Sequence, residues 1–515
     1  MNFKKKSIKL RKIAALMLCI CILCCGCSSD TPSSALPTVP PEEDAYTPPI
    51  GDLKMEYQTL CSLYLPSIDG TQLAQVTVEI EHMQTGKEAE TVLEALFSYK
   101  KSEDADCIPG YGSVKLAGGM PVSQSCGIVT VNLSSAALSL DETQLFTLFM
   151  CITNTLCALD TVEGVNILVN GTSPGLDIAG TIPVGCLTAD VLDDPAMLLA
   201  RYTAQRKQTE DSAFRMNAAL YFPAQAGSGI LCELRPLTFS GCDTAELVHT
   251  LLDALSFGAE DLPNVPDLPD LNGLLTEEIQ VTEASGTGQR VVQLHFEAAL
   301  NNALVSAGIT RSVFVASLVS TLSAFLPGTS LCAITIGEEQ ITSLIPAGLY
   351  EGSGQTISFS GGNMRYSDFT GFLLTNVALY FVDELLNVTP TVRSIPSTWV
   401  CSPRKLFEQM LEGIKYYDTE KQISTILPED VSSADLIGIS QEGDTLLLNF
   451  SQRFLTECEK LSYEQESALI YTIVNTMTEI YSVKRVRFYV LSGQPASRSE
   501  GKSICLQGDF MRRVQ

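Results

Sequence analysis

Few residues in this chain have types and spacing that could do chemistry, and most lose that promise on inspection. Gly171-Thr172-Ser173-Pro174-Gly175 spells the G-x-S-x-G nucleophile elbow. That elbow uses the amide of the residue after the serine as an oxyanion donor, and Pro174 has no amide hydrogen. Pro174 and Gly175 also oppose the helix that must follow, so the segment reads as a turn after a strand. Ser402-Pro403-Arg404-Lys405 spells S-x-x-K, the start of a penicillin-binding signature, but neither K-T-G nor S-D-N occurs. A helix N-cap followed by proline at N1 accounts for the same residues. His82, His249 and His295 are the three histidines and sit far apart, which leaves little basis for a histidine-based nucleophile or a metal site. Asp104, Asp106, Glu260, Asp261, Asp267 and Asp270 fall in expected loops without the spacing of an EF-hand. They read as solvated charge, and no local pattern singles out a carboxylate pair for glycoside hydrolysis. The sequence therefore predicts no catalytic residue, no metal and no cofactor, and a protein that is not an enzyme.

One cysteine stands apart. Lys4, Lys5, Lys6, Lys9, Arg11 and Lys12 precede an apolar run from Ile13 to Cys25. About 20 apolar residues are needed to span a bilayer, so this run has the length of a secretory signal instead. It ends in Leu23-Cys24-Cys25-Gly26-Cys27, which resembles a bacterial lipoprotein signal. A small residue, Gly26, precedes Cys27, the expected site of cleavage and diacylation. Residues 1–26 are thus read as a signal peptide, and the mature protein as lipid-anchored to the outer, extracytoplasmic face of the cell membrane.

Composition narrows the rest. The 515 residues carry 33 Lys+Arg against 59 Asp+Glu, a formal charge of −26, and 45% are apolar. There is ample material for a core, and no basic excess to hold nucleic acid. Removing residues 1–26, with their six positive charges, leaves −32. So acidic a surface is repelled by anionic headgroups, and attachment falls to the acyl chains of Cys27. Of 17 cysteines, those at 61, 107, 126, 151, 157, 186, 232, 242, 332, 401, 458 and 505 remain after the signal and Cys27 are set aside. They form no C-x-x-C pair and do not recur at equivalent repeat positions, so mostly free, buried thiols are expected.

Residues 27–52, rich in Pro and Ser, read as an extended, solvated tether. Beyond it the chain repeats. Leu63-Tyr64-Leu65, Leu220-Tyr221-Phe222 and Leu379-Tyr380-Phe381 form a first marker. Val131-Asn132-Leu133, Leu294-His295-Phe296 and Leu448-Asn449-Phe450 form a second, and Asn154-Thr155-Leu156, Ser320-Thr321-Leu322 and Asn475-Thr476-Met477 a third. Three markers in one order at one period define three units. In each, a marker strand is followed by a helix, an alternating strand, a longer helix and a closing strand. Capping boxes are expected at Thr85–Glu88, Asp243–Glu246, Ser139–Glu142 and Ser462–Gln465, and Gly258 as a helix stop. The apolar stretch from Ser312 to Leu326, interrupted by serines, reads as a buried core helix. The fold class is α/β (α+β), with two helices packed on a small mixed sheet in each unit.

These markers together resemble the GerM domain of sporulation and spore-germination proteins and of other envelope lipoproteins. The resemblance covers residues 53–192, 212–350 and 372–512 as three tandem GerM-like domains. It implies a small domain similar to the ring-building modules of secretion systems, with no catalytic residues to carry over. It also implies a role in protein binding, with other envelope proteins or homotypic assembly as partners; Cys27 adds the membrane through an N-terminal diacylglycerol, and peptidoglycan stays open as a partner under the second alternative below. Two alternatives stay open: an accessory lipoprotein modulating a membrane sensor or transporter, and a protein that binds or hydrolyses peptidoglycan.

Overall fold

The computed structural model describes residues 48–515 except 54, 71, 109–113, 176–182, 190–212, 226–227, 285–288, 349–352, 414–422, 482, 491–493, 496–505, 507 and 514–515. Gly26, Cys27, the signal and most of the tether therefore lie outside the described residues, as does Cys505.

The chain runs β1 (Gly51–Asp52), β2 (Tyr57–Pro66), β3 (Leu73–Met83), α1 (Glu88–Ser98), β4 (Val122–Ser125), β5 (Ile128–Leu133), α2 (Glu142–Cys157) and β6 (Gly164–Val169). It continues through β7 (Phe214–Pro223), β8 (Ile230–Phe239), α3 (Thr244–Phe257), β9 (Gln280–Glu283), β10 (Arg290–Phe296), α4 (Ala299–Ser306), α5 (Arg311–Phe325) and β11 (Thr329–Ile336). Three short strands follow, β12 (Glu339–Gln340), β13 (Ser343–Leu344) and β14 (Ile357–Ser358). The last part holds β15 (Leu374–Val382), β16 (Val388–Pro396), α6 (Pro403–Leu411), β17 (Leu436–Glu442), β18 (Thr445–Phe450), α7 (Gln452–Cys458), α8 (Tyr463–Ile480), β19 (Arg485–Val490), β20 (Gln494–Pro495) and β21 (Asp509–Met511).

Each unit has the same two layers of strands. The marker strand does not join the mixed sheet. It pairs antiparallel with the strand after it, as β2–β3, β7–β8 and β15–β16. These second strands are an addition to the expected plan; β3, LAQVTVEIEHM, alternates at period two but half-exposed, so its apolar face is weak. The separate mixed sheets run β4-β5-β6, β9-β10-β11-β12 and β1-β17-β18-β19-β20, with β21 also on β19. In all three the pair β5/β6, β10/β11 or β18/β19 is parallel, which requires a crossover, and the long helix supplies it. That helix lies against both layers and is buried along its length; α5 buries every residue from Ser312 to Phe325. Among the described residues no single helix is long and apolar enough to cross a membrane.

Local signals were partly right about helix starts. Ser462 and Gln465 form their capping box, and Ser402 caps α6 with Pro403 at N1. Gly258 ends α3 at φ 93°. Asp243 caps α3 through Ala245, without the reciprocal Glu246 bond that makes a box. Helix α2 starts later than expected: Ser139 ends a 3₁₀ turn, and Asp141 forms the capping box with Gln144. The Thr85–Glu88 box does not form. Gly86 turns at φ 81° and gives its amide to the Glu88 carboxylate at 2.7 Å, while the buried Thr85 hydroxyl has no hydrogen-bond partner among the described residues.

The tether reading changes at its last residues. Strand β1 pairs parallel with β17, and Leu53 donates to the Ile439 carbonyl at 2.9 Å. Asn449 donates from Nδ2 to the Pro49 carbonyl at 2.9 Å, and Arg404 forks onto both oxygens of Asp52 at 2.8 and 2.6 Å. Gly438 permits this approach, since a Cβ there would lie 2.0 Å from the Pro49 oxygen. Met55 is buried in the core of the third unit. The composition of residues 27–52 favours a solvated chain, but here backbone ladder bonds and a bidentate ion pair offset it.

Candidate interaction surface

The three units touch through strand edges and the connectors between units. Residues 48–515 group as one body, and the apolar cluster of unit two takes in Ile128, Leu168 and Cys186 from unit one and its connector. Ser125, buried at the end of β4, sits where all three meet. Its hydroxyl donates to the Leu374 carbonyl of unit three and accepts from the Cys232 amide of unit two. Beside it, Thr130, Tyr221, Tyr366 and Ser123 form a chain of hydroxyls spaced 2.9 to 3.3 Å. Burial raises the phenols of Tyr221 and Tyr366 above their ordinary range, so both stay neutral and act as fixed hydrogen-bond partners.

The edges are managed by one rule. In each unit a residue near the start of the parallel pairing, Val165, Cys332 or Val486, pairs on its other side with the chain that follows: Leu187, Met364 and Phe510. The stretch around Cys186 is held from both sides. Leu187 exchanges two bonds with Val165 of β6 at 2.7 and 2.8 Å, while the Cys186 amide donates to Asn217 of β7 at 2.9 Å. Consecutive residues of an extended strand point their polar groups to opposite sides, so this connector acts as a strand inserted between units one and two.

Between units one and three the arrangement is open. β4 and β15 meet where Ser125 bonds Leu374, and beyond that contact they line a cleft of about 510 Å³. The Asn132 amide donates to Pro121 in register with the β4–β5 ladder. By the alternation of antiparallel bonding, Ser123 and Ser125 face β5, while Val122 and Gln124 turn amide and carbonyl to the cleft. Opposite them Ala378 of β15 lines the wall, next to Asn376, whose amide bonds the Cys126 thiol. Glu88, Asp160 and Glu163 line the same cleft, and no Lys, Arg or His does so among the described residues. Glu479 also reaches it, but is paired with Arg512. Burial pushes the Glu88 carboxyl up, against the backbone bonds that it accepts. A smaller recess of about 210 Å³ beside β2 shares Glu88 and Asp160.

The residues weighed for catalysis are placed elsewhere. Ser173 is buried and its hydroxyl donates to the Phe325 carbonyl, a contact between units one and two. Ser402 caps a helix. His82 is exposed beside Glu56, and His249 bonds Asn272. Glu260 and Asp261 give their amides to Glu233, which pairs with Arg235 in the core of unit two. Among the described residues no cluster of His, Cys, Asp and Glu could hold a metal ion, and the eleven described cysteines are all free thiols.

The family model described as "Germane: Sporulation and spore germination" matches residues 62–174 and 378–496. Units one and three thus match the Germane domain. The Germane match relates the protein to sporulation or germination, and in units one and three it runs from within the first hairpin strand through the helices and the parallel pair. Unit two repeats the same elements in the same order, giving three tandem Germane-like units of mixed α/β structure. Among solved structures, the tandem GerMN domains of the sporulation protein GerM from Bacillus subtilis are similar at 16% identity, over 58% of this chain and 98% of that one, with TM-score 0.21. The first GerMN domain alone is similar at 16%, over 25% and 91%, TM-score 0.19. A Clostridium perfringens protein described as a candidate lipoprotein is similar at 18%, over 27% and 87%, TM-score 0.17. Among curated proteins no match is found.

Proposed function

We propose that this Germane-domain chain is a non-enzymatic cell-envelope protein, lipid-anchored at Cys27, that binds envelope proteins during sporulation or germination. The observation that carries the binding part is the open cleft between β4 and β15, where strand edges of two units face each other. An edge strand offers a row of backbone donors and acceptors to a partner chain. Such an edge, held in one body with three copies of one module, suits a repetitive partner or a second copy of the chain. Replacing Cys27 by Ala should move the protein from the membrane fraction to the medium; retention on the membrane overturns the anchor. Cross-linking in sporulating cells should join the protein to other envelope proteins or to itself. Release of fragments from purified peptidoglycan by the protein would overturn the non-enzymatic reading.

A further inference from the structure

We propose that the cleft between β4 and β15 is a strand-addition site for an extended, lysine- or arginine-rich peptide segment of a partner protein. The inference rests on the binding function proposed above and names the site and the chemistry of what fills it.

The molecule itself shows the mode of binding. In unit three, β17 is the counterpart of β4, since each pairs antiparallel with the first strand of the parallel pair. The outer edge of β17 carries an added strand, β1. In the connector, Cys186 and Leu187 lie between the edges of units one and two and bond to both. The outer edge of β4 has the same backbone geometry, with Val122 and Gln124 turned outward. It faces a cleft of about 510 Å³, large enough for several residues of extended chain.

Two further observations point to the ligand. Thr85 lines the cleft, is 5% exposed, and its hydroxyl has no hydrogen-bond partner among the described residues. A buried hydroxyl without a partner costs free energy, which a bound polar group would recover. Glu88, Asp160 and Glu163 supply negative charge with no lining cation to balance it. The chain's own tether does not match this charge, because residues 28–47 hold Asp30, Glu42, Glu43 and Asp44 and no Lys or Arg. The charge favours a cationic segment whose alternate side chains reach the carboxylates while its backbone bonds β4.

The test uses the full chain in detergent with two fluorescent eight-residue peptides, one alternating Lys and Val, the other alternating Glu and Val. The Lys peptide should bind at least about tenfold more tightly than the Glu peptide, and its affinity should fall as salt is raised. Val122→Pro removes an outward amide without touching the β4–β5 ladder, a place where an edge strand tolerates proline. It should weaken the Lys peptide about tenfold, and Glu163→Gln should weaken it about threefold at low salt. Peptide binding should slow hydrogen exchange at Val122 and Gln124. Equal binding of the two peptides, or unchanged affinity in Val122→Pro, overturns the site. If Val122→Pro leaves cellular cross-links intact, the site falls and the wider binding function stands. If the peptide binds as expected but no envelope partner is cross-linked, the wider function falls and the site stands.

Discussion

The backbone amide of Tyr221 donates to the side-chain hydroxyl of Thr321 at 3.0 Å, tying the edge of the unit-two hairpin to its long helix. The same bond joins Tyr64 to Thr155 at 2.9 Å and Tyr380 to Thr476 at 3.0 Å. The three threonines are fully buried. The first and third repeat markers of the sequence are therefore the two ends of one hydrogen bond.

Replacing Thr321 by Val keeps the shape and removes the acceptor. The buried Tyr221 amide is left unsatisfied, at a cost of about 1–3 kcal/mol. Thr321→Ser retains the hydroxyl and should recover most of that loss. Urea unfolding followed by circular dichroism compares the two variants; equal stability of Val and Ser variants would remove the bond from the account of the fold.

Docking of the tether end depends on the absence of a side chain at Gly438. Gly438→Val should expel β1 from β17 and expose residues 49–55 to protease. Limited proteolysis should show a new early cut near Met55 in the variant and none in the parent chain. Asp52→Ala, which removes the fork with Arg404, should give a weaker version of the same effect.

Acid stability should depend on Asp435. Burial alone would raise its carboxyl, but hydrogen bonds from Arg453, Ser451 and Ser432 outweigh burial and hold it well below the usual carboxylate range. A pKa depressed in the folded state gives stability that is fully present above the unfolded value of about 4 and lost as pH falls toward the folded one. The urea midpoint should fall below about pH 4 in the parent chain. Asp435→Asn should be less stable at neutral pH and show less of that fall. A parallel pH profile in the variant would contradict the assignment.

Thiol reactivity should report folding. Burial pushes the Cys332 thiol up to about 12 and raises Cys151 and Cys186 as well, the last also through nearby Cys157. Thiolate is the reactive form, so these three should resist a thiol reagent at mildly alkaline pH until the chain is unfolded. Mass spectrometry of a labelling time course reads each site; rapid labelling of Cys151 in the native protein would contradict its burial.

Much of the fold could be read from the repeats because the packing that matters repeats with them. Asn132 and Asn449 recur, and both hold an adjoining segment: Asn132 accepts from the Gly171 amide and Asn449 donates to Pro49. What the sequence hid was long-range. Strand β3 alternates over a half-exposed surface, so its apolar signal is diluted. The docking of Pro49 on Asn449 spans 400 residues and rests on a glycine whose role is to be small. The cleft draws on Val122, Ala378 and Glu163, ordinary residues whose meaning comes from edges that face each other only in the folded chain.

The docking of β1 also decides how the protein bears load. Any tension transmitted along the chain from before Pro48 reaches Asn449, Ile439 and Arg404 of unit three before it reaches unit one. The unit that comes last in the sequence is thus mechanically first. The parallel β1–β17 contact, together with the Asp52–Arg404 fork, acts as a strain relief that shields the hairpin of unit one from a pull at its own entry point.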